Sequence, residues 1–168
     1  MRVFVAIDVS NLFKTCQLAH GGEARVDFEL LYRKLSSLYE NSEFTACAYT
    51  VTNPLLHKKS QNPFVVVLKA FGYQVKERFL RWEKGLVKPM RSDWDVGITI
   101  DAVHLQDTYD TFVLVSGDGD FSMLLSHLRI QHKKTVVLAF EGSAARSLYA
   151  NADELVWLDK DILFRSAS

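Results

Sequence analysis

Four aspartates stand where side chains could do chemistry. Asp8 closes the apolar run Val3-Phe-Val-Ala-Ile7, and Asp118 and Asp120 flank Gly119 directly after a second run, Phe112 to Val115. Asp95 opens a stretch with Ile98, Ala102 and Leu105 at helical spacing. Gathered in one crevice, these carboxylates would repel one another and raise each other's pKa unless a cation neutralised them. Oxygen ligands without Cys or His suit a hard divalent ion, and a site with room for waters and a phosphate suits Mg or Mn better than a closed calcium cage. The chemistry such a site serves is phosphodiester hydrolysis.

Each residue also has a plainer reading. Asp is a preferred helix N-cap, which accounts for one of Asp118 and Asp120, while two acids around a glycine after Ser116-Gly117 exceed what a cap requires. Asp8 follows five buried apolar residues and needs a partner that the next residues do not obviously supply, which favours a ligand role. Asn11 either caps its helix or positions water or Asp8. Asp95 could serve the helix dipole, the role read for Asp93. Asp101 lies about 240° round an ideal helix from Asp95, so it is second-shell or structural. Ser116 either bonds a carboxylate or supports the turn.

The elements that would position these groups alternate. Val3 to Ile7 and Phe112 to Val115 read as strands covered on both faces, Phe44 to Val51, Tyr73 to Phe79 and Thr135 to Phe140 as further strands, and Glu154 to Leu158 as a short terminal one. Helices are expected from Asn11 to Ala19, after Asp27 with Leu30, Leu31, Leu35 and Leu38 on one face, through Val65, Val66, Leu68 and Phe71, after Asp95, after Asp120, and from Glu141 to Ala150. Leu80 to Arg91 reads as an irregular or hairpin loop. The alternation indicates an α/β fold, a mostly parallel sheet with helices on both faces, and right-handed crossovers then bring the strand carboxyl ends to one edge. Asp8 and Asp118 share that edge, and neighbouring strands at a reversal of winding would let their side chains converge.

A length of 168 residues, with 48% hydrophobic and 24% charged residues, is that of one globular domain. The expected extent is residues 1–165 with a short tail at 166–168. Twenty basic and twenty acidic residues cancel, so a polyanion could be attracted only by a local patch. Cys16 and Cys47 have neither zinc spacing nor disulfide density, and the amino terminus lacks a signal-peptide pattern, which leads to the expectation of a reduced, cytoplasmic protein. No apolar run approaches the roughly 20 residues of a membrane span.

Phe4-Val-Ala-Ile-Asp8-Val-Ser-Asn11, Asp95-Val-Gly-Ile-Thr-Ile-Asp101-Ala, Ser116-Gly-Asp118-Gly-Asp120-Phe121 and Ala152-Asp153-Glu154 together resemble the NYN domains, relatives of the PIN-domain ribonucleases, in particular the LabA-like bacterial branch. Order, spacing and strand context agree at every block. The resemblance implies a PIN-like, Rossmann-like three-layer fold and a Mg or Mn ion held by Asp8, Asp95 and Asp118 with Asp120 nearby. It also implies an RNA substrate, which is expected to be single-stranded, and Asn11 is counted with the aspartates as a candidate catalytic residue. The chain departs from the family before the central acid, where the customary Lys three residues upstream is Ser92, with Arg91 one position further back.

Lys58, Lys59, Arg78, Arg81, Lys84, Lys88 and Arg91, with Trp82 among them, could track an RNA strand while Trp82 stacks on a base. Two other acidic α/β families fit less well. A haloacid-dehalogenase-like phosphatase needs a second Asp where Ser10 stands, and an integrin-type metal site needs an oxygen where Leu12 stands. The expected function is a metal-dependent ribonuclease. The alternative is a catalytically weak RNA-binding or regulatory module of the same fold acting through protein partners, and a homo-oligomer is compatible with the sequence without being specified by it.

Overall fold

The computed structural model describes residues 1–56, 62–80 and 93–164. Among them, strands β1 (Arg2–Asp8), β2 (Glu43–Thr52), β3 (Gln74–Phe79), β4 (Thr111–Val115), β5 (Lys134–Phe140) and β6 (Glu154–Leu158) alternate with helices α1 (Val9–His20), α2 (Phe28–Leu38), α3 (Pro63–Ala70), α4 (Asp95–His104), α5 (Ser122–Ile130) and α6 (Arg146–Asn151). The strands form one sheet in the order β3-β2-β1-β4-β5-β6, every neighbouring pair parallel. Winding therefore reverses between β1 and β4, the arrangement expected for the strands that carry Asp8 and Asp118.

Burial on both faces explains the apolar runs. Val3, Val5 and Ile7 of β1, with Val113 and Val115 of β4, face α1, α2 and α3 through Leu12, Cys16, Leu31, Leu35 and Leu68. Phe4 and Ala6, with Phe112 and Leu114, face α4, α5 and α6 through Ile98, Ala102, Leu124, Leu125, Leu128 and Leu148. Successive residues of one strand thus serve opposite cores, so no polar position interrupts the run. The result is a three-layer α/β fold.

Helix starts follow local chemistry. Asp27 accepts from the N–H groups of Glu29 and Leu30 to begin α2, and Asn62 caps α3 with Pro63 in its first turn. Two expected faces are narrower than read. Leu38 ends α2 and is 47% exposed, because Tyr39 and Phe44 pack on the core beside it. Val66 is exposed because a helix of eight residues buries one stripe, here Val65 and Leu68.

The last helix also differs. It begins at Arg146 instead of Glu141: Gly142 turns the chain at φ 75°, Ala145 is extended, and the intervening residues brace the turn after β4. The Leu80 to Arg91 loop, apart from Leu80, lies outside the described residues.

On α2 the two leucines offer a contrast. Leu31→Ala should cost about 2–5 kcal/mol in urea unfolding, the range for a fully buried leucine, while Leu38→Ala should cost less than about 1 kcal/mol. Equal losses would contradict the assignment of faces.

Candidate metal centre

Two turns build the site from adjacent strands. Asp8, last in β1 and 5% exposed, accepts from the Asn11 N–H at 3.1 Å and so caps α1. It therefore has the local partner that the sequence did not make obvious. Across the reversal, β4 is followed by buried Ser116, whose Oγ accepts from the Asp118 N–H at 3.2 Å, and Asp118 accepts from the Asp120 N–H at 3.1 Å as it caps a 3-10 turn, Gly119–Phe121. Ser116 supports the turn, and Asp118 is the cap that the plainer reading allowed.

Asn11 joins the two turns. Its Oδ1 accepts from the Gly117 N–H at 2.9 Å, a bond between residues 106 positions apart, so its side chain positions the β4 turn while its backbone N–H holds Asp8. The segment after β5 closes the turn from behind. Ala145 N–H donates to the Gly117 carbonyl at 3.0 Å, and a Cβ on Gly117 would lie 2.6 Å from the Ser143 oxygen. A Cβ on Gly119 would lie 2.8 Å from Ser147 Oγ. Both glycines are needed for this close approach.

Asp95 arrives from α4. Trp94 precedes it, with its indole N–H donating to the Thr50 carbonyl at 2.8 Å and its ring edge-on to Tyr49. Arg78 lies over the Trp94 ring at 4.6 Å and donates to the Asp93 carbonyl at 2.8 Å. Arg78, expected on the RNA path, thus holds the strand-side support of the segment that presents Asp95. The other residues of that path, Lys58, Lys59, Arg81, Trp82, Lys84, Lys88 and Arg91, lie outside the described residues.

Carboxylate oxygens of Asp95, Asp118 and Asp120 lie within 4.8 Å of one another. Asp8 is outside that group of three but lines the same cavity, with Ser10, Asn11, Lys14 and Asp93. Asp101 points elsewhere: Tyr49 Oη donates to it at 2.7 Å and Lys76 Nζ at 2.6 Å, a brace between α4 and strands β2 and β3. Asp153, in the last block of the motif, accepts from Thr135 and Arg129 at the amino end of β5, away from the acids.

The electrostatics follow from crowding. Burial pushes the Asp8 carboxyl above its ordinary value, against the Asn11 N–H and with the Asp118 charge. Asp95 is pushed up to about 6, first by burial and then by Asp93, Asp8, Asp118 and Asp120. The donor set, three crowded carboxylates with no His or Cys, fits a hard divalent cation.

Sequence reasoning missed Lys14, Ser10 and Asp93 as wall residues. The first two were within reach of it, since Ser10, Asn11 and Lys14 share a helical face beginning at Asp8. Asp93 was assigned to the helix dipole because its side of the cavity is set by the fold around Trp94.

A parallel sheet with helices on both faces and acids at its reversal point is a PIN-like arrangement. The chain belongs to the NYN domain family, whose profile matches residues 2–159, and NYN domains are usually nucleases. It is 31% identical over 116 residues to the Low amplitude and bright protein LabA of Synechococcus elongatus, a stretch covering 67% of this chain and 62% of that protein. The chain therefore spans less than two thirds of that relative's length. The crystal structure of a protein of unknown function from Vibrio parahaemolyticus RIMD 2210633 is similar with a TM-score of 0.80, at 29% identity over 97% of this chain and 96% of that one. Among the described residues no helix is long and apolar enough to cross a membrane.

The raised Asp95 pKa has a definite sign. The folded state holds this proton more tightly than the unfolded chain, so the group's stabilising contribution is present below its ordinary value of 3.8 and is lost as pH rises through about 6. Asp95→Asn cannot lose it. In chelator at pH 8 the variant should melt a few degrees above wild type, about 2–4 °C for each ~1 kcal/mol, and the difference should close near pH 4. Thermal unfolding across pH measures this; a variant less stable at pH 8 would make the Asp95 carboxylate structural.

Proposed function

We propose that this chain is a metal-dependent ribonuclease that hydrolyses phosphodiester bonds of single-stranded RNA at its aspartate cluster. The observation that carries the reading is the meeting of Asp95, Asp118 and Asp120, within 4.8 Å, at the one place where the winding of a parallel sheet reverses. Ligands bind at such points because the loops after neighbouring strands diverge there. A cap accounts for Asp118 alone of the three; Asp120 gives that cap only its backbone N–H, and Asp95, which forms no cap, is brought in by a separate element.

Asp95, Asp118 and Asp120 would hold Mg or Mn, with Asp8 completing the set from the buried wall. A bound ion would supply a lowered pKa for water and stabilisation of charge on the phosphoryl oxygens. The chain's own residues do the rest. Asp8, fixed by the Asn11 N–H, would orient the attacking water and accept its proton as the new oxygen–phosphorus bond forms, and the leaving ribose oxygen would take a proton from solvent water as its bond to phosphorus breaks. Asn11 keeps the Asp8 and Asp118 turns in register through Gly117. Asp93, on the same wall, adds negative charge that strengthens cation binding.

Purified protein with Mn and a labelled single-stranded RNA should give cleavage that chelator abolishes. Asp118→Asn should lose at least ~100-fold in rate, beyond the 10–100-fold that outer-shell changes cost. It should also lose the rise in melting temperature that Mn gives wild type by mass action. Asn can still accept the Asp120 N–H, so the turn survives the change. RNA bound but uncut by wild type would favour the regulatory, RNA-binding reading; retained cleavage in the variant would remove Asp118 from the site.

A further inference from the structure

The candidate centre is strongly anionic, yet its proposed substrate is a polyanion. Asp8, Asp93, Asp95, Asp118 and Asp120 line the cavity, and among the described residues Lys14 is the single cationic side chain on its wall. A divalent ion offsets two charges of the five. An incoming phosphodiester still meets net negative charge, and a fixed cation at the rim lowers the local repulsion where the strand must enter. Arg78, the described basic residue once expected to serve RNA, is engaged on Trp94 and the Asp93 carbonyl.

We infer that Lys14 is the substrate-positioning residue of this site, its ammonium holding the RNA phosphate beside the aspartates. The assignment rests on the nuclease reading above and names the group that meets the strand. Lys14 is exposed on α1 and follows Asn11 by three residues and Ser10 by four, so one helical face presents Ser10, Asn11 and Lys14 to the cavity. The helix Val9–His20 contains no Asp or Glu, so it offers Lys14 no carboxylate at the three- or four-residue spacing. None of the ion pairs among the described residues includes it.

An unpaired lysine on an open helix surface is ordinarily just solvated. This one differs because the helix is anchored at Asp8 by the cap that defines the site and tied to the β4 turn through Asn11. Its position relative to the acids is therefore fixed at the backbone while the long side chain stays movable, which suits a contact that must form and release with each strand. Lysine serves phosphate as a point charge and needs no planar partner.

Initial rates of cleavage of a labelled single-stranded RNA in Mn, at several salt concentrations, test the assignment with Lys14→Gln and Lys14→Arg. Lys14→Gln should raise KM about tenfold with kcat within about threefold, and should flatten the log–log salt dependence by roughly one unit, the signature of one lost phosphate contact. Lys14→Arg should restore both, and the Mn-induced melting shift should match wild type in each variant. Unchanged KM and salt slope in Lys14→Gln overturn the assignment, as does a loss matched by a lost Mn response, which would mark a structural role. A wild type that neither binds nor cuts RNA overturns the nuclease reading and this assignment with it.

Discussion

The site depends on holding like charges together against their repulsion. Carboxylates at the ends of separate loops would move apart; here two of the turns are extensions of β1 and β4, which pair along Val3–Thr111 through Ile7–Val115 in the buried centre of the sheet. The strands cannot separate without exposing both cores. Backbone N–H groups of Asn11 and Asp120 further hold Asp8 and Asp118, and the Asn11 side chain links one turn to the other. Burial first, and the unrelieved repulsion after it, raise the proton affinity of Asp8 and Asp95.

That arrangement explains why capping and metal binding need not compete at Asp8 and Asp118. A carboxylate has two oxygens and about four lone-pair directions, so one bond from a backbone N–H fixes its orientation and leaves capacity for a cation. The cap makes the carboxylate rigid. Asp95 is held differently, by Trp94 wedged against Gly97, where an added Cβ would come within 2.5 Å of the indole.

Much of the fold was legible because burial on both faces writes itself as an uninterrupted apolar run, and the acids that end β1 and β4 mark the sheet's carboxyl edge. What stayed hidden was tertiary. The Asn11 to Gly117 bond joins residues 106 apart, and no local pattern distinguishes it from an ordinary cap. Arg78 reads as one more cation in a basic stretch until Trp94 folds beneath it. The start of α6 at Arg146 follows from packing of Ser143 and Ala145 on the β4 turn, a contact that helix propensity over Glu141 to Ala150 does not contain. Helical geometry alone separates Asp101 from the Asp95 face, although its partners Tyr49 and Lys76 were not foreseeable.

If Asp95, Asp118 and Asp120 form one cation site, anomalous diffraction from a Mn-soaked crystal will show a single strong peak among these three carboxylates, about 2.0–2.3 Å from an oxygen of each or from a water that one of them holds. No peak there at Mn concentrations that support RNA cleavage, or a peak at carboxylates elsewhere on the chain, would contradict it.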